Sequence, residues 1–162
     1  MRSAGQRQGA TFIVELPVIA AGSISENAPA TPTADPFAPA RSLRVLLVED
    51  HDDTRHVLHR LMTRWNHTVT VASTLAEARK ALAEGTFDLL LSDIGLPDGS
   101  GYEVIATLRE HSDIPAIAMS GYGMEADIAR VHAAGFTEHI VKPVTAEALR
   151  KMLHRFSTQS EI

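Results

Sequence analysis

The chain has 162 residues, 44% of them hydrophobic, with a formal net charge of −5 and no cysteine. That length and composition suit one soluble globular domain with a tail and a sizeable core. The acidic balance gives no electrostatic reason to expect nucleic-acid binding, and the lack of cysteine excludes disulfides, a thiolate nucleophile and Cys-ligated zinc. The apolar stretch 12–22 carries Glu15 and Pro17, is too short to span a bilayer and lacks a signal-peptide layout, so a cytoplasmic protein with no membrane insertion is expected.

In chain order, residues 1–19 contain Thr11-Phe12-Ile13-Val14-Glu15-Leu16, a strand-forming run that needs a partner sheet. Residues 20–41 are rich in Ala, Pro and Ser, with Pro29, Pro32, Pro36 and Pro39 and almost no large apolar side chains. Such a stretch cannot bury enough to offset its ordering entropy and reads as an extended linker. The folded domain is expected over 42–157, with 158–162 as a polar tail.

Within it, short apolar runs alternate with helical patterns. Strands are expected at 44–48, 68–72, 88–92, 115–119 and 138–141, and continuously apolar runs such as Val45-Leu46-Leu47-Val48 suit a parallel sheet covered on both faces. Between them Val57, Leu58, Leu61, Met62 and Trp65 fall at helical spacing, as do Leu75, Ala78, Ala81 and Leu82. Thr74 with Glu77 and Ser100 with Glu103 read as capping boxes, and Gly85 and Gly135 stand where helix ends favour a left-handed residue. Five strand–helix repeats with right-handed crossovers make an open, doubly wound α/β sheet, whose functional site lies at the carboxyl ends of the strands.

Those ends carry Glu49-Asp50, Asp93, Ser120 and Lys142-Pro143. Singly, each has a bland reading: Asp50 or Asp52 as a helix cap, Ser120 before Gly121 as a turn residue, Lys142 as a solvated charge. Their joint occurrence at four strand ends is hard to explain by capping. Three clustered carboxylates repel by about 4 kcal/mol per pair at 4 Å and an effective dielectric near 20, so a proton or a divalent cation must neutralise them. Oxygen ligands without cysteine favour magnesium or a similar ion. A carboxylate beside such an ion, with a lysine and a hydroxyl near it, is equipped to accept a phosphoryl group.

The segments Leu46-Leu47-Val48-Glu49-Asp50, Leu91-Ser92-Asp93-Ile94-Gly95-Leu96-Pro97-Asp98-Gly99-Ser100-Gly101, Met119-Ser120-Gly121 and Val141-Lys142-Pro143 resemble, in order, those of response-regulator receiver domains over about 43–156. The resemblance implies a five-stranded parallel sheet of flavodoxin-like order 2-1-3-4-5. It implies that Asp93 takes a phosphoryl group from a phosphohistidine. Asp50, Asp93 and the Gly95 backbone carbonyl would bind Mg2+ or Mn2+, with Glu49 helping directly or through water. Lys142 would pair with the phosphoryl oxygens, Ser120 would hydrogen-bond one of them, and the Lys142–Pro143 peptide would be cis. Two positions depart from the commonest pattern. The inward-swinging switch residue three before Lys142, usually Tyr or Phe, is His139, and Gly95 offers no side chain to control water access. His56 and His59 are read as surface residues of the first helix, off a stripe formed by Val57, Leu61 and Trp65, and His51 as a loop residue.

Residues 5–17 resemble the last strand of a sensor histidine kinase ATP-binding domain. Followed by a linker and a receiver, this fits the C-terminal receiver of a hybrid sensor kinase. The implied partners are a kinase dimerisation/phosphoacceptor domain or a histidine-phosphotransfer protein, and the chain is expected not to be a stand-alone enzyme. The alternative is a stand-alone single-domain regulator acting by protein contact. A haloacid-dehalogenase-like phosphatase wants a second Asp two residues after its nucleophile, where this chain has Gly95.

Overall fold

Along each central strand of the computed structural model, successive side chains alternate between two separately packed cores, as a period of two requires. Val45, Leu47, Leu89, Leu91, Ile117, Met119 and Ile140 join one core, and Leu46, Val48, Leu90, Ala116 and Ala118 the other. Helices cover both faces, which is why the strands are apolar throughout instead of alternating with polar residues.

The structure describes residues 2–3, 10–11, 41–121 and 125–158, with side chains for 41–121 and 128–158. The chain divides into two units, 1–33 and 34–162. In the first, Arg2–Ser3 pairs antiparallel with Ala10–Thr11. The strand expected over 11–16, beyond Thr11, the linker of 20–41, before Arg41, and the tail beyond Thr158 lie outside the described residues.

The second unit runs β1 (Arg44–Val48), α1 (Asp52–Arg64), β2 (Thr68–Ala72), α2 (Leu75–Glu84), β3 (Leu89–Asp93), α3 (Gly101–Arg109), β4 (Ala116–Ser120), α4 (Glu125–Ala133), β5 (Glu138–Val141) and α5 (Ala146–Thr158). These five strands form one sheet in the order β2-β1-β3-β4-β5, every neighbour parallel. This is the flavodoxin-like order expected. Leu58, Met62, Leu149, Leu153 and Phe156 of α1 and α5 fill the first core; Leu75, Ala78, Val104, Ile105, Leu108 and Val131 of α2, α3 and α4 fill the second.

Several local expectations are corrected. β3 and β4 each lie one residue later than the sequence suggests. Pro115 has no N–H to give a ladder and contributes only its carbonyl, which accepts from Leu90 N at 3.0 Å. Asp93 therefore closes β3 inside the ladder, opposite Met119. Val57 does not belong to the buried stripe of α1; it is 56% exposed, and Leu58 and Met62 are the residues that go inward. Gly85 is extended, at φ −126, while among the described residues the left-handed positions are Gly135 (φ 104) and Asn66 (φ 67), which follows Trp65 at the end of α1. Gly85 is instead confined by space, since a Cβ there would stand 3.1 Å from the Phe87 ring and 3.2 Å from the Ala81 carbonyl oxygen.

The start of α2 is held partly from a distance. Thr74 Oγ1 accepts from Glu77 N at 3.1 Å, but the Glu77 carboxylate accepts from Ser73 N at 2.7 Å rather than from Thr74. Asp98, from the loop after β3, accepts from Leu75 N and Ala76 N at 2.7 and 3.0 Å. At α3 the returning half of the capping box is present, Ser100 N donating to Glu103 Oε2 at 3.0 Å. The loop after β3 is thereby fixed at both ends, which holds the backbone following Asp93.

Candidate functional site

Parity along the strands decides which side chains can meet. Glu49 continues the Val45–Leu47 alternation, Asp93 the Leu89–Leu91 alternation, and Lys142 that of Ile140, so all three fall on the side of the first core. Ser120 follows Ala118 and belongs to the other side. An ionic layer results on one side of the carboxyl edge of β3, and the Ser120 hydroxyl lies on the other.

On the first side, Lys142 Nζ lies 2.5 Å from Asp93 Oδ2 and 2.9 Å from Glu49 Oε2. The Glu49 side chain is fully buried and that of Lys142 is 25% exposed. Burial alone lowers the ammonium pKa, but the hydrogen bonds to Asp93 and Glu49 outweigh it and hold Lys142 above the usual lysine value. Lys142 N donates to the Ser120 carbonyl at 2.8 Å, and the Lys142–Pro143 peptide is cis. Asp93 Oδ1 accepts from Gly95 N at 3.3 Å.

Two residues given no role by the sequence reading shape this layer. Arg55, in the first turns of α1, donates to the carbonyl oxygens of Glu49 and Asp50 at 2.8 and 3.1 Å and pairs with Asp52. Its place four residues after His51, where a helical side chain leans back over the preceding turn, was the available signal. His51, a loop residue by sequence, is the N-cap of α1, and its Nδ1 lies 2.7 Å from Asp50 Oδ1 and 3.4 Å from Glu49 Oε1. The hydrogen bond to Asp50, then the Asp50 and Glu49 charges, raise the imidazole above its ordinary pKa. The caps considered for α1 are not made by Asp50 or Asp52: the N-cap is His51, without a side-chain cap bond.

Glu49, Asp50, His51 and Asp93 each offer one donor atom, and those atoms lie within 4.8 Å of one another. Glu49 Oε2 is buried and receives no aligned hydrogen bond. Three carboxylates and one ammonium leave two uncompensated negative charges, so the donor set fits a divalent cation.

On the other side, a cavity of about 320 Å³ opens beside Asp93, lined by Gly95, Tyr102, Ser120 and Val131 among others. Ser120 is 8% exposed. Arg130 stacks over the Tyr102 ring at 5.3 Å. His139 is half-buried on β5, opposite Ala118 in the ladder. A larger cavity, about 590 Å³, lies on the Lys142 side and is lined by Glu49, His51, Thr54, Val57, Pro143 and Val144 among others. Among the described residues no helix is long and apolar enough to cross a membrane.

The family model of the response regulator receiver domain matches residues 45–154. An uncharacterised 14.6 kDa protein of Leptolyngbya boryana is 32% identical over 115 residues, covering 69% of this chain and 88% of that protein. The response regulator protein PilR of Pseudomonas aeruginosa is 32% identical over 111 residues, covering 68% of this chain but only 25% of PilR. The chain thus spans about a quarter of that longer relative. Among solved structures, the chemotaxis response regulator CheY4 of Vibrio cholerae superposes with a TM-score of 0.68 at 25% identity, over 72% of this chain and 99% of that one. The receiver domain of sensor histidine kinase PA1611 of Pseudomonas aeruginosa, a structure with magnesium coordinated in its active site cleft, gives a TM-score of 0.65 at 23% identity, over 72% of this chain and 98% of that one.

Proposed function

The chain belongs to the response regulator receiver domain family of two-component signalling, and from that premise we propose that Asp93 accepts a phosphoryl group from a phosphohistidine. The observation that carries the proposal is the Asp93 carboxylate at the end of β3, held 2.5 Å from Lys142 Nζ with Glu49, Asp50 and His51 clustered beside it. An Asp93 oxygen attacks phosphorus, the P–O bond forms as the P–N bond breaks, and the imidazole leaves. Lys142 turns from Asp93 to the incoming phosphoryl oxygens, and the Ser120 hydroxyl donates to one of them after transfer. Asp50, Asp93 and the Gly95 carbonyl, with Glu49 directly or through water, would hold Mg2+ or Mn2+, which supplies charge neutralisation at the transferring group.

The donor is a kinase dimerisation/phosphoacceptor domain or a histidine-phosphotransfer protein. Exposed Val57 with Pro143 and Val144 around the larger cavity supports this, since it gives a partner helix apolar footing next to Lys142. Ser120 and His139 are the proposed switch pair. The parent protein is proposed to be a hybrid sensor histidine kinase, supported by the kinase-like segment 5–17 ahead of the linker, with this chain acting in the relay rather than as an enzyme on its own. Intact-mass spectra after treatment with acetyl phosphate and Mg2+ test the acceptor. The wild type gains one phosphoryl mass and Asp93→Asn gains none; an undiminished gain in the variant overturns the assignment.

A further inference from the structure

We propose that His51 is itself a ligand of the cation at this site, through Nδ1, and that it makes the site prefer a first-row transition ion over magnesium. The inference rests on the metal site proposed above and extends it to a residue outside the family's ligand set.

The backbone that carries the ring is fixed. His51 is the N-cap of α1, at φ −75 and ψ 115, and its N–H points to Glu49 Oε1 at 3.4 Å. Arg55 clamps the carbonyl oxygens of both residues before it. The ring this backbone carries stands over the acids, 2.7 Å from Asp50 Oδ1 and 3.4 Å from Glu49 Oε1, with its side chain 73% exposed. Two ligands on opposite sides of an ion at about 2.1 Å are about 4.2 Å apart. The four donor atoms of Glu49, Asp50, His51 and Asp93 already lie within 4.8 Å, so a closure of under about 1 Å brings them to bonding distance. Glu49 Oε2, buried and 2.9 Å from Lys142 Nζ, belongs to the same charged cluster.

Charge and softness then choose the ion. The acids and Lys142 leave two negative charges, which any divalent cation matches. Imidazole adds a strong donor without adding charge: the proton that Nδ1 shares with Asp50 leaves to solvent, Nδ1 takes the ion and Nε2 keeps its hydrogen. Magnesium keeps oxygen ligands and water, whereas Mn2+ to Zn2+ accept imidazole alongside carboxylate, with affinity rising from Mn2+ to Cu2+ and falling at Zn2+. His51 thus gives the transition ions a bond that Mg2+ does not use.

The test compares Co2+ and Mg2+ binding by titration calorimetry on the full chain without a histidine tag, with proton NMR of the Co2+ form. The wild type shows a contact-shifted exchangeable imidazole N–H. In His51→Ala that signal is gone, Co2+ affinity falls at least tenfold and Mg2+ affinity changes less than twofold. Asp50→Ala weakens both ions and locates them at this site. Unchanged Co2+ affinity in His51→Ala overturns the inference, and so does an equal loss of both ions, which would make His51 only a positioner of Asp50. Wild-type protein that binds neither ion, or Asp50→Ala that binds both normally, overturns the metal site itself and this inference with it.

Discussion

Replacing Lys142 by Met tests whether the ammonium is the neutralising charge of the acidic site. Met keeps most of the stem volume and removes only the charge and its hydrogen bonds. At 2.5 Å from Asp93 Oδ2 and 2.9 Å from Glu49 Oε2, the gross attraction is about 6 kcal/mol per pair at an effective dielectric of 20. Desolvation cancels much of that, and removing one partner of a buried pair costs about 3–5 kcal/mol. Lys142 keeps 25% of its side chain exposed, so water repairs part of the loss and about 2–3 kcal/mol is expected. That corresponds to a fall in Tm of roughly 10 °C for a domain of this size. The loss should be smaller with Mg2+. If removal of the competing ammonium tightens Mg2+ tenfold, saturating Mg2+ returns about 1.4 kcal/mol more to the variant than to the wild type. Urea unfolding followed by Trp65 fluorescence, with and without Mg2+, gives both numbers. A variant as stable as the wild type without Mg2+, and gaining no more from it, would refute the reasoning.

Gly101→Ala should disturb the site from outside it. A Cβ there overlaps the Asp93 carbonyl oxygen, and overpacking against backbone costs about 1–3 kcal/mol; thermal melts should show the loss and acetyl-phosphate labelling should slow. At the opposite edge, Asp88 accepts from Arg44 N at 2.8 Å and from the Arg44 guanidinium, which together hold its carboxyl at about 2 against an ordinary 3.8. Asp88→Asn should cost about 1–2 kcal/mol at neutral pH after allowance for the exposed Arg44. A folded pKa below the unfolded one stabilises above 3.8 and is lost as pH falls through about 2, so urea midpoints of variant and wild type should converge in acid. His67 is 5% exposed and accepts from Leu43 N at 3.1 Å, and burial pushes its pKa below 6.5. The neutral ring is the folded form, so stability is full above 6.5 and declines as pH falls from there through the folded value. Urea midpoints at pH 8 and pH 5 should drop further for the wild type than for His67→Gln, and equal drops would exclude the bond.

The sheet and the acids were legible in the sequence because both depend on local chemistry. Val45-Leu46-Leu47-Val48 and Leu89-Leu90-Leu91 must be covered on both faces wherever they pack, and that fixes a parallel sheet between helices. The period of two then places Glu49, Asp93 and Lys142 on one side without further information. What the sequence left open depended on contacts between distant residues. Pro115, with no N–H for the ladder, moved the start of β4 by a residue. Val57 and Leu58 are adjacent apolar residues, and only the docked α1 shows which of them faces water. Asp98 holds the start of α2 from more than 20 residues away, a partnership with no periodicity to reveal it. His51 reads as one more polar loop residue until the helix start and Arg55 fix its backbone. Only then does its Nδ1 come within 2.7 Å of Asp50. Residue types along the strands determined that acids would gather at the carboxyl edge. The packing of α1 decided that an imidazole stands among them, because an exposed ring acquires a direction only from the backbone that carries it.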